Sequence, residues 1–155
     1  MNADTHESDT PTSSTNPADF HFRVGWYSLV VFMLLGTTLE TMHGFKIGWY
    51  LDVSNETRRL MWTLAHTHGT LLSILNIVFA LSIPKINGWQ GSTRTLASRC
   101  MLTSLFLLPT GFLLGGIFIN SGDPGLGILL VPPGALLLLT GTALTAHAAR
   151  RGKLG

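Results

Sequence analysis

Charge is what this sequence has least of. Only 12% of its 155 residues are Asp, Glu, Lys or Arg, about half of the roughly 25% usual in soluble domains. The few charges are bunched between long apolar runs, which excludes an ordinary water-exposed surface. A single cysteine, Cys100, rules out an internal disulfide. No CxxC, HExxH, phosphate-binding glycine loop or nucleophile–base pair occurs, so hydrolase, kinase and protease chemistry find no support. The polar opening, MNADTHESDTPTSSTNPAD, lacks the basic residues and apolar core of a cleavable signal peptide.

What is present is hydrophobicity: 46% of residues, with a mean hydropathy of +0.36. Four apolar runs have membrane-spanning length, at about 25–47, 60–83, 100–119 and 125–146. The expected fold is an all-α integral membrane protein: one domain of four transmembrane helices over 20–149, in an up-down-up-down bundle with short loops. Residues 1–19 read as a disordered tail, too polar to bury surface that offsets chain entropy. His6 and His21 are assigned to that tail or its junction. Residues 150–155 form a basic C-terminal tail.

Trp26 and Tyr27 at one end of the first span, and Trp49 and Tyr50 beyond the other, are placed as interfacial anchors. Ser54 or Asn55 would cap the second helix, and Asn55-Glu56-Thr57 matches a glycosylation sequon, taken as chance. Pro84 closes the second span, and residues 85–99 form a polar connection. Asn120 to Pro124 make a tight turn, and Pro132-Pro133 are expected to kink the fourth span. Asn76 is positioned to hydrogen-bond across helices, and Cys100 is read as a packing thiol before a palmitoylation site. Gly36, Gly44, Gly111, Gly115, Gly116, Gly134 and Gly141 suit close helix packing.

An even number of spans puts both termini on one side. Lys85, Arg94, Arg99, Arg150, Arg151 and Lys153 share that side, with Arg23; Lys46, Arg58 and Arg59 lie opposite. The positive-inside rule then places both termini in the cytoplasm; the expected location of the spans is a bacterial inner membrane. The sequence pI near 9 reflects this topology and gives no reason to expect nucleic acid.

Antiparallel spans would bring Glu40, His43, His66 and His68 to one depth, near the non-cytoplasmic surface. Glu40 and His43, three apart, share a helix face; His66 and His68, two apart, cannot. Small and polar neighbours put His66 inside, and leucines surround His68. Three readings follow. A Glu40 pair with His43 or His66 would only hold the helices together. Glu40, His43 and His66 would alternatively hold one copper or zinc ion. In the third reading, His43 with His66 or His68 would ligate a haem b. Lys46, Arg58 and Arg59 rim the cluster.

The stretch Ala65–Phe79 (AHTHGTLLSILNIVF), followed by Pro84 and Asn87-Gly88, resembles the second helix of haem-copper oxidase subunit I over residues 65–88. The resemblance implies a low-spin haem ligated by His68, with Gly69 beside it. It implies a haem-binding fragment of that design, and not an enzyme on its own. Haem, a transition metal and no cofactor all stay open. The expected role is electron transfer within a membrane complex, or that of a structural subunit, with a proton or ion pathway third. The expected partners are the lipid bilayer and other membrane subunits or a second copy.

Overall fold

A computed structural model describes residues 16–52 and 56–152. The N-terminal tail up to residue 15, the Ser54 or Asn55 cap, the sequon asparagine and Lys153 lie outside the described residues. Four helices carry the fold: α1 (Pro17–Gly44), α2 (Glu56–Ser82), α3 (Ser92–Ile117) and α4 (Val131–Arg151). Each, α4 together with the turn before it, is long and apolar enough to cross a membrane.

The helix starts follow local chemistry more closely than hydropathy. α1 begins well before the apolar run, at Asn16-Pro17: the Asn16 side chain accepts from the Ala18 amide at 3.1 Å, Pro17 supplies a preset φ, and Asp19 sits in the first turn. Residues 17–19 and His21 therefore belong to a helix and not to a tail. α1 ends as Lys46 turns to a φ of 52°. Likewise α3 starts inside the expected 85–99 connection, after Gly91, whose φ of 79° suits glycine. Pro84 sits in a short 3₁₀ turn, Ile83–Lys85, that ends α2.

The fourth span also differs from expectation. A 3₁₀ turn, Leu126–Leu130, precedes α4, and Pro132 and Pro133 fall in the first turn of α4. There they start a helix, where proline's fixed φ is favourable, and do not kink one.

Consecutive helices pack antiparallel. Gly25 of α1 lies against Ile77 of α2, and Gly36 against His66. Trp62 of α2 meets Gly116 of α3, while Asn76 meets Met101. Gly111 of α3 meets Val131, and Gly141 of α4 meets Met101. The extended contacts are α1 with α2, α2 with α3, and α3 with α4. None of comparable extent joins α1 to α4 among the described residues, so the helices form a row and not a closed bundle. The inner helices are buried accordingly: 56% of the apolar stretch of α3, against 17% for α1 and 11% for α4.

Two apolar clusters fill the row. One contains Leu39, Met61, Trp62, Ala65, Leu72, Leu105, Leu108 and Phe112; the other, Phe79, Ile83, Ile86, Trp89, Ala97 and Met101, lies at the end bearing Lys85 and Arg151. Close approach of α1 to α2 depends on glycine at two positions in particular. A Cβ at residue 69 would strike the Phe32 ring, and one at residue 36 would meet the His66 ring.

Candidate functional site

The polar residues of the spans fall into three separate places. The first is a groove of about 280 Å³ between α1 and α2, lined by Glu40, His43, Tyr50, Arg59, Thr63 and His66. His66 lies over Gly36, and its Nδ1–H donates to the Phe32 carbonyl at 2.7 Å. A helical carbonyl can only accept, which fixes the neutral ring as the Nδ1–H tautomer and leaves Nε2 as an acceptor. Glu40 and His43 are exposed along the groove.

The second place is on the far side of α2. The His68 Nδ1–H donates to the Leu64 carbonyl of its own helix at 2.9 Å, and its ring packs at a tilt of 35° against Phe112 of α3, with centroids 4.8 Å apart. The ~200° between residues two apart explains the split. His43 and His66 therefore share a groove, whereas His43 and His68 have α2 between them. Among the described residues, no three His, Cys, Asp or Glu side chains stand close enough to hold one metal ion.

The third place carries a histidine that hydropathy had set aside. His21, in the second turn of α1, is fully buried against the Phe79 ring. The Asn76 amide donates to the Leu72 carbonyl at 2.9 Å and approaches that of Met101 at 3.5 Å. Its Oδ1 then accepts from His21 Nδ1–H at 2.8 Å, and Ser98 donates to Nε2 at 2.7 Å. One side chain thus ties α1 to both α2 and α3. Asn76 bonds across helices, as its depth suggested. The partner was legible only through the Asn16-Pro17 helix start, which brings residue 21 inside the helix.

Of the three rim residues, Arg58 and Arg59 are engaged. Arg58 donates from Nε to the Gly116 carbonyl at 3.2 Å and from Nη1 to that of Trp49 at 3.1 Å, with its guanidinium 4.9 Å from the Trp49 ring centroid. Arg59 pairs with Glu56 at 3.5 Å. Tyr50, expected as an interfacial anchor, is buried and stacks on Trp62, whose Nε1–H donates to the Leu113 carbonyl. The Asn120–Asp123 turn closes with two reciprocal backbone bonds, and Thr57 donates to its Gly122 carbonyl at 2.6 Å. That turn latches onto the start of α2, away from Glu40.

No family model, curated protein or solved structure matches this chain. Two of the three polar places join helices through histidine. The first also keeps a histidine acceptor, a carboxylate and a second histidine along one groove.

Proposed function

We propose that this chain is a four-span integral protein of a bacterial inner membrane, up-down-up-down, with both termini in the cytoplasm. In this reading it is a non-catalytic subunit that works beside other membrane proteins. Four helices of spanning length support the first part, and the Lys and Arg excess at the end bearing 85–99 and the C-terminus supports the orientation. The observation that carries the subunit role is the use made of the histidines. His21 and His66 each bond a neighbouring helix, as expected of polar side chains that hold membrane helices in register. Glu40 supports a partner: it is exposed on α1 and has no ion pair or hydrogen bond among the described residues, a costly condition for a carboxylate in a span.

A second reading rests on one specific observation. A histidine whose Nδ1–H is held by a carbonyl is oriented as metal-ligating histidines are, and His66 shares its groove with His43. A haem b held by this pair would make the chain an electron carrier; a copper or zinc ion on Glu40, His43 and His66 lacks that support, because among the described residues the three do not stand close enough to hold one.

One purification tests both. Reduced-minus-oxidised absorbance and metal analysis are run on the detergent-solubilised protein from haem-supplied cells, beside His43→Ala and His66→Ala. The subunit reading expects featureless spectra, no stoichiometric metal, and a native-gel assembly that shrinks in Glu40→Gln. A Soret band or bound metal lost in both histidine variants would overturn it in favour of the electron carrier.

A further inference from the structure

A strongly apolar cleft lies away from Glu40, at the basic end. It is a groove of about 340 Å³ between α2 and α4, floored by Met101 of α3. Leu75, Val78 and Phe79 form one wall, and Thr142 and Ala146 belong to the other. Its lining is mostly hydrocarbon, with the hydroxyls of Ser82 and Thr145 bonded back to their own helices and Thr142 on the α4 wall. Lys85, exposed on the 3₁₀ turn after α2, is the one charged residue and stands at the mouth.

The charge around that mouth has one sign. Lys85, Arg94, Arg99, Arg150 and Arg151 occupy this end of the helices, and no Asp or Glu occurs in 83–119 or 131–152. Asp19 is the one carboxylate among the described residues near this end, and it sits on α1, which does not line the groove. Lys85 has no carboxylate partner among the described residues. An apolar slot between two spans that opens at an unpaired lysine complements a molecule with an acyl chain and an anionic head.

We propose that this groove binds one anionic phospholipid, its acyl chain between α2 and α4 and its phosphate at Lys85. The proposal rests on the membrane reading above but is independent of any role for Glu40 or the histidines. A lipid-facing slot would take any acyl chain, so the specific content is the headgroup preference. One basic residue near an anionic lipid surface contributes about 1 kcal/mol, which corresponds to roughly a five-fold preference.

The test is native mass spectrometry of the detergent-purified full chain, offered phosphatidylglycerol or phosphatidylcholine with identical acyl chains. The expected result is one phosphatidylglycerol retained about five-fold over phosphatidylcholine. Lys85→Ala, an exposed change that leaves the packing intact, abolishes the preference without abolishing retention. Ala146→Phe, which fills the groove, lowers retention of both lipids with helicity by circular dichroism unchanged. Equal retention of the two lipids, or a preference that survives Lys85→Ala, overturns the proposal. Recovery of the chain in the aqueous fraction after carbonate extraction of membranes would instead overturn the membrane reading itself.

Discussion

The contact of Gly36 with His66 makes a sharp test of how α1 is held. A Cβ at residue 36 would lie 2.6 Å from His66 Nδ1 and 2.7 Å from Nε2, so Gly36→Ala must push the ring aside and break its bond to the Phe32 carbonyl. Overpacking of this kind typically costs about 1–3 kcal/mol, and an interhelical hydrogen bond in a membrane protein contributes about 0.6 and at most about 1.7 kcal/mol. Alanine's better helix propensity returns up to about 1 kcal/mol. The expected net loss is therefore about 1–3 kcal/mol, read as an earlier midpoint in SDS-driven unfolding followed by circular dichroism in mixed micelles. Gly44→Ala is the control, since nothing lies within 4 Å of a Cβ there; it should change stability by under about 0.5 kcal/mol. His66→Ala removes the obstacle, so the double variant should be more stable than the two single losses added together, by about 1 kcal/mol or more. If Gly36→Ala behaves like Gly44→Ala, or if the two changes simply add, the clamp does not exist as described.

Two further outcomes follow from the buried network and the lone thiol. Asn76→Leu strands the His21 Nδ1–H in a dry site, which should cost about 1–3 kcal/mol in the same unfolding assay; adding His21→Leu should recover part of that loss, and no recovery would mean the two side chains act independently. Cys100 is 3% exposed, so a maleimide should label it only after SDS unfolding; rapid labelling of the folded protein would contradict its packing against Gly141 and reopen the case for lipidation.

The number of helices and their apolar middles were legible because spanning length and composition need no knowledge of neighbours. The helix starts were less so. A hydropathy window averages over Phe20-His21-Phe22-Arg23 and reads an interface, whereas Asn16, Pro17 and Asp19 already encode a helix start beneath it. The same averaging hid the first turns of α3, which are rich in Ser, Thr and Arg. Pro132-Pro133 were read for what proline does inside a helix, although moving the helix start from about residue 125 to Val131 reverses their effect. At the site, angular spacing sufficed to divide His66 from His68. It could not supply Phe32 and Phe112 as their respective neighbours, nor show that Arg58 was committed to two carbonyls and a tryptophan ring, because those partners come from distant segments.

The two prolines at the start of α4 have a consequence for where that helix can begin. A helix start ordinarily leaves unpaired amide hydrogens that water or a capping side chain must satisfy, and hydrocarbon offers neither. Here the Val131 amide donates back to the Ile128 carbonyl, and the next two residues have no amide hydrogen at all. The change from a 3₁₀ turn to an α-helix is thus nearly free of orphan donors without any polar side chain. In the membrane reading proposed above, the chain would change its pitch within the apolar layer at little electrostatic cost, so this junction need not reach the water boundary.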